Sequence, residues 1–480
     1  VLKEQIRQFD ENAFKDRKAE RRERYTKAVE QLGDEKAPIR MGGVYTLVGL
    51  VDEWLEEKSL SDDERFKEGQ VIINNLCAYI RSPFTLASHY DELSEDAPSL
   101  EGIYKDKKEE FYVDKAILDS EADVRLSIIK EIHDRIQGPD KNTPGAWSDF
   151  EYDFSGSTFF YPIDLTNSYY AKPINFSGST YKGWANFTDS TYQGEANFSD
   201  STYQGEANFR GSTYKSGADF RGSTYHAWAN FTDSTYQAWA NFSGSTYKGE
   251  ANFSGSTYKG GANFSRSTYK GEADFTDSTY KVGANFTDST YQGWANFTDS
   301  TYKDIAYFTG SIYKGGAYFT GSTYKVGADF CGSTYENETD FSGSIFYQET
   351  YFGKGKYSNS SSCFTNRAPQ FYDKKKRKNT LFGSHNNDFT VDIDKGYPID
   401  LDSKGIPLNC KFLTSEQKEY LADKFREIKK INNKLREVKD PKEKEELLKK
   451  LQALNEELHK WREEATTVKV EGTALGKDNN

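Results

Sequence analysis

Phenylalanine stands at 154, 176, 187, 198, 209 and 220 and continues in the same eleven-residue frame to 352, with Leu165 in one slot. Tyrosine keeps a second frame from Tyr181 to Tyr335, which Phe159, Tyr170 and Phe346 extend. No insertion interrupts either frame. A chain with such a period stacks one small unit whose apolar face only its neighbours can cover. A helix can carry an eleven-residue period. Here Gly and Thr recur in nearly every unit, which would make that helix very weak. Short strands joined by turns fit the pattern.

Each unit divides into two five-residue pieces and one further residue. The first piece reads Ala-Asn/Asp-Phe-x-Asp/Gly and the second Ser-Thr-Tyr-Lys/Gln-Gly. Alternation along a strand puts Ala and Phe on one side and Asn on the other, and likewise sets Ser and Tyr against Thr. Inward rings then explain how a chain that is only 35% hydrophobic can hold 33 Phe and 33 Tyr. Gly or Asp closes the first piece nearly everywhere, as at Asp189, Asp200, Gly211 and Gly222. These residues suit corners that need an unusual φ, and Arg266 is the exception. Each buried Tyr hydroxyl needs a partner; the Ser two residues earlier, or a backbone carbonyl, is the natural one.

Ala-Asn-Phe-x-x, with small, polar and central bulky positions, resembles the pentapeptide-repeat proteins. The extra residue in every second side (Trp184, Glu195, Glu206, Gly217) and Tyr at alternate centres depart from the simple pattern and resemble its eleven-residue bacterial variant. The resemblance implies a mixed fold built on a right-handed quadrilateral β-helix, a β-solenoid of about 22 residues per coil. At roughly 4.8 Å per coil, about nine coils would make a rod of about 43 Å.

Helices are expected on both flanks. Residues 1–137 read as a basic first helix, Leu2 to Gln31, followed by apolar helical stretches at Ile39–Leu55, Gln70–Arg81 and Val124–Ile136. Two of these open alike, PIRMGGVYTLVGL and ADVRLSIIKEI, which suggests a HEAT- or armadillo-like bundle. The region also resembles the helices found before such repeats in bacterial relatives, where a membrane helix often comes first. With no initiator Met and a basic run from Lys15 to Lys27, a membrane anchor preceding residue 1 is an expectation. A solvated charged helix is the plainer reading of that run. Residues 138–153 read as a linker, 154–357 as the solenoid and 358–412 as an irregular capping region. Residues 413–466 carry apolar stripes, Leu421, Phe425, Ile428, Ile431, Leu435 and Leu447, Leu451, Leu454, Leu458, and read as a helical hairpin or a dimerising coiled coil. Residues 467–480 read as a disordered tail.

The chemistry sought is largely missing. A net charge of −12 disfavours direct nucleic-acid binding. Cys77, Cys331, Cys363 and Cys410 share no C-x-x-C spacing, so a reducing compartment, the cytoplasm, is expected. No nucleophile motif, zinc helix or phosphate loop occurs, and no enzyme activity, cofactor or metal is expected. Asp400-Leu-Asp402-Ser-Lys404-Gly405 begins like a calcium loop but puts Lys404 and Lys411 where oxygen ligands belong, so it reads as a turn.

Two surface features stand out. The extra position holds Trp184, Trp228, Trp239 and Trp294; each indole is either a corner binding residue or folded over its own coil. Lys374, Lys375, Lys376, Arg377 and Lys378 are either a solvated loop or a site for an anionic head group, a phosphate backbone or an acidic partner. The function expected is a non-catalytic scaffold that binds a protein partner, with the cytoplasmic face of a membrane as a possible setting and a homodimer through 413–466 as a possible assembly. The alternative is a DNA mimic that inhibits a type II topoisomerase. Residues 151–357 hold 21 Asp/Glu against 15 Lys/Arg, and Lys182, Lys248, Lys259, Lys270 and Lys281 interrupt any acidic stripe. An outward Thr ladder (Thr180, Thr191, Thr202) suggests ice binding, but Lys and Gln two places on would spoil a flat face.

Overall fold

The computed structural model describes residues 2–353, 360–438 and 440–468. Most of the expected tail, and the end of the repeats at 354–357, lie outside the described residues. The chain forms two compact units, Val1–Glu250 and Ala251–Asn480.

The first unit opens with helices α1 (Leu2–Leu32), α2 (Ala37–Leu55), α3 (Asp62–Arg81), the short α4 (Tyr90–Leu93) and α5 (Lys108–Ile136). Ser61 and Glu64 start α3 with a reciprocal capping box. Helix α2 is apolar on the face that buries Val44, Leu47, Leu50 and Val51. Its Gly43 allows α1 close approach, since a Cβ there would lie 2.7 Å from the Ala28 carbonyl oxygen. The two arginines of the matching helix openings converge on one carboxylate. Arg40 reaches Glu121 at 3.2 Å and Arg125 reaches it at 2.7 Å. The Tyr79 hydroxyl donates to the same group at 3.0 Å. Arg125 also donates to the carbonyls of Ile80 and Ser82, which ends α3 with satisfied acceptors.

The repeats begin directly on this bundle. Trp147 and Phe150, from the segment between bundle and repeats, are buried, and the Trp147 indole donates to Asp52 at 2.8 Å. Gln70 of α3 exchanges two hydrogen bonds with the Glu151 backbone, at 2.8 and 2.9 Å. Such cover over the first coil is what a solenoid end requires. From Tyr152 on, two-residue strands pair in parallel with the strand 22 residues later, as in Thr180↔Thr202↔Thr224 and Ala185↔Ala207↔Ala229. Four strands close each coil, so each coil has four sides. They begin at Tyr152 (side 1), Thr158 (side 2), Ile163 (side 3) and Tyr169 (side 4). Ala-Asn strands fall on sides 1 and 3, Thr-Tyr strands on sides 2 and 4.

The interior follows the sequence pattern. Ala, Phe, Ser and Tyr of the repeats are buried. Rings stack coil on coil, for example Phe187 on Phe209 at 4.9 Å and Tyr192 on Tyr214 at 4.7 Å, nearly coplanar. Each such pair contributes about 0.5–1.5 kcal/mol beyond the area it buries. The predicted corners adopt positive φ: Asp189 and Asp200 at 56°, Gly211 at 68°, and Arg266 at 58°. The outward Asn accepts from the amide two residues on, as Asn186 does from Thr188 at 3.2 Å, and so fixes the turn into the corner.

The Tyr hydroxyls depart from expectation. Ser212 donates to the Phe187 carbonyl of the preceding coil at 3.0 Å and accepts from the Ser190 amide at 3.2 Å. The Ser hydroxyl therefore ties coil to coil. Tyr302 is buried with no hydrogen-bond partner for its hydroxyl, and burial holds it well above the usual phenol range.

In the second unit the same coils run through Thr350–Tyr351. The stack then continues through residues with no legible period. Cys363–Phe364 pairs with Thr334–Tyr335, and Leu381–Phe382 with Ile345–Phe346. Phe364 stacks on Tyr335 at 4.8 Å and Phe371 on Phe341 at 5.0 Å. The chain ends in a helical pair, α6 (Ser415–Glu437) and α7 (Pro441–Thr466). Their two predicted stripes meet each other, with Ile428, Ile431 and Leu454 buried between them. Leu421 and Leu413 pack on Ile345 and Leu381 of side 4.

Candidate binding surfaces

With the interior closed by rings, any recognition falls to corners, outward columns and added segments. At the extra corner position Trp184, Trp239 and Trp294 are 46%, 43% and 58% exposed, while Trp228 is half-buried. In the first unit Trp184 and Trp228 precede strands of side 3 and Trp239 a strand of side 1. Trp294 holds the corresponding place before Ala295 in the second unit. Trp239 and Trp294 are exposed and also supported. Trp239 lies against the backbone at Gly217, where a Cβ would meet its ring at 2.4 Å. Trp294 meets the Tyr318 ring edge-on at 6.2 Å. Tyr318 replaces the outward Asn of its repeat and lies over Gly316 in the same manner. A seated, half-exposed aromatic has little rotamer freedom left to lose on contact.

The corner columns mix Asp and Gly, and some of their charge is already met. Lys141 reaches Asp189 at 3.4 Å, Arg210 reaches Asp233 at 3.3 Å and Arg462 reaches Asp299 at 2.6 Å.

A family model described as pentapeptide repeats (9 copies) matches residues 193–235 and 238–279. The four-sided coil and its buried Phe and Tyr columns extend the same architecture on either side of the matched residues. The solenoid is a pentapeptide-repeat domain. No curated protein and no solved structure matches the chain.

Beyond its repeats the pentapeptide-repeat domain carries two further surfaces. The basic run forms the tip of a hairpin between Tyr372–Asp373 and Lys378–Asn379. Lys374, Lys375, Lys376 and Arg377 are exposed there, with Arg377 at φ 54°. Lys378 points the other way and pairs with Glu463 of α7. Five adjacent cations thus become a cluster of four and one structural ion pair. The second surface is side 4 of the C-terminal unit, over which α6 and α7 lie. Thr279, Thr301 and Thr323 of the Thr ladder sit beneath these helices and line a cavity with Lys303 and Lys325. Sequence reading treated the lysines after Tyr only as interruptions of an acidic stripe. Their 22-residue spacing at 281, 303 and 325 was the signal that they form one column.

Asp400–Gly405 is a turn: Asp402 accepts from the Lys404 and Ile406 amides, and Gly405 sits at φ 77°. No described helix is long and apolar enough to cross a membrane.

Proposed function

We propose that the chain is a non-catalytic scaffold whose solenoid corners bind a protein partner. The observation that carries this reading is the set of exposed indoles at Trp184, Trp239 and Trp294, on a fold that turns nearly every other repeat ring inward. Large aromatics in such positions dominate protein interfaces. Replacing all three by Ala in the full chain should weaken capture of a native partner by roughly tenfold or more. Gln237→Ala, at an exposed site, should leave capture unchanged. The same proteins captured at equal yield by the triple variant would refute the reading.

Topoisomerase inhibition by mimicry of DNA is poorly supported. Asp189, Asp233 and Asp299, which would have to present the acidic stripe, are matched by Lys141, Arg210 and Arg462. A gyrase supercoiling assay should show no inhibition at micromolar protein.

The basic run of α1 lends little to membrane attachment, because Arg17, Arg21 and Arg24 are held by Glu53 and Glu57 of α2. Lys374 to Arg377 are exposed and adjacent, which suits an anionic surface. Co-sedimentation with anionic vesicles, lost on reversing those four charges, would support a membrane setting for the scaffold. We read α6 and α7 as an internal cover on side 4 and expect no dimer through residues 413–466, which sedimentation equilibrium can check.

A further inference from the structure

Lys281, Lys303 and Lys325 occupy one place in three successive coils, each donating its amide to a Tyr carbonyl 23 residues earlier, at 2.8 Å. The outer two have partners for their ammonium groups. Lys281 donates to Asn432 of α6 at 3.1 Å, and Lys325 lies 4.2 Å from the Phe425 ring centre. Lys303 has no side-chain hydrogen bond or ion pair among the described residues. It faces a cavity of about 240 Å³ under α6 and α7. Two carboxylates also line the cavity: Asp299 is taken by Arg462 at 2.6 Å, and burial, then Asp299, raise Asp277 above the usual carboxylate range. Burial, then the neighbouring Lys281 and Lys325, push the Lys303 amine down to about 8. An ammonium in this place is short of a counter-charge.

The wall facing the lysines is apolar, formed by Leu421, Phe425, Ile428 and Leu458. Thr301 and Thr323 on the floor offer hydroxyl donors beside the amine. We propose that this cavity binds a small organic monoanion, with its acid group on Lys303 and its apolar body against Leu421 and Ile428. An inorganic anion would satisfy the lysine and leave the apolar wall wet. A neutral apolar molecule would fill the wall and leave the amine without a partner. Only a ligand with both parts answers both halves of the lining.

Calorimetric titration of the full chain with sodium hexanoate at neutral pH tests the site, with inorganic phosphate as the second arm. The expected result is saturable hexanoate binding, tighter than phosphate by roughly tenfold or more. Lys303→Met should weaken hexanoate by roughly tenfold or more, the loss of one charge-assisted contact. Lys270→Met, at an exposed site on the opposite side of the coil, should leave it unchanged, and circular dichroism should show both variants folded. No saturable hexanoate binding, equal binding of phosphate, or undiminished binding by folded Lys303→Met would each overturn the proposal.

Discussion

The bundle that meets the first coil has a core of its own, whereas the helical pair on side 4 has very little. Helices α2, α3 and α5 bury Leu47, Leu50, Ile72, Ile73, Ile128 and Ile129, and tie them with the Arg40–Glu121–Arg125 group. Helices α6 and α7 bury only Ile428, Ile431 and Leu454 between themselves; Leu421 is buried by side 4. One flank therefore brings its stability to the repeats, and the other draws order from them. A helix that depends on its seat is also the one that can enclose a cavity, because its underside was never packed as a core.

The comparison can be broken most forcefully at Arg125. Arg125→Ala leaves Glu121 buried with a single arginine and opens the carbonyls that end α3. A loss of about 3–5 kcal/mol in urea unfolding of the full chain is expected. A negligible loss would mean that the bundle does not hold itself together. Leu421→Ala should cost about 2–4 kcal/mol in the other flank. Hydrogen exchange should then accelerate in α6 and α7 while the coil amides keep their protection. Simultaneous loss of protection in the coils would show the pair to be part of one cooperative unit with them.

Acid offers a graded test of the first flank. Burial raises the Glu57 carboxyl, but hydrogen bonds from Ser59, Arg17 and Arg21 outweigh it and hold the group at about 2, against an ordinary 4.5. Because the folded value lies below the unfolded one, its contribution is complete above the ordinary value and fades as pH falls toward about 2. Trp54, stacked under Arg21 at 4.7 Å, should report the loosening of α1 from α2 in that window by its fluorescence. The smallest effect is expected inside the coils. Tyr302→Phe removes a hydroxyl without a partner and should change stability by less than about 1 kcal/mol, in either direction. Ser201→Ala should cost more, about 1–2 kcal/mol, because its hydroxyl accepts from the Ser179 amide and donates to the Phe176 carbonyl of the preceding coil.

The coils were legible because each residue type has one duty. Phe and Ala alternate with Asn, and Asp or Gly marks each corner, so inward positions and positive φ could be read directly. Nearness in sequence points to Ser beside the Tyr hydroxyl, but does not reveal that the Ser hydroxyl is also engaged by neighbouring coils. The closing coil escaped because its strands return after 29 and 36 residues, as Thr334↔Cys363 and Ile345↔Leu381, so that Phe364, Phe371, Phe382 and Phe389 keep the stack without keeping the period. Of the candidate residues, the Trp corners could be named but their exposure could not, since it depends on Gly217 and Tyr318 beside them. The Lys column was visible as a spacing, but only the seat of α6 distinguishes Lys303 from its neighbours.

The alternation of Ala-Asn strands between sides 1 and 3 has a bearing on how such a chain can grow. One eleven-residue unit is half a turn. Gain or loss of two units by recombination between near-identical repeats would leave every downstream side chain facing as before, only one coil further along. Gain or loss of one would carry each downstream column to the opposite side and reverse which neighbours a corner indole shares its side with. Recombination can therefore lengthen this protein without consequence or reorient its surface wholesale, and the parity of the repeat number decides which.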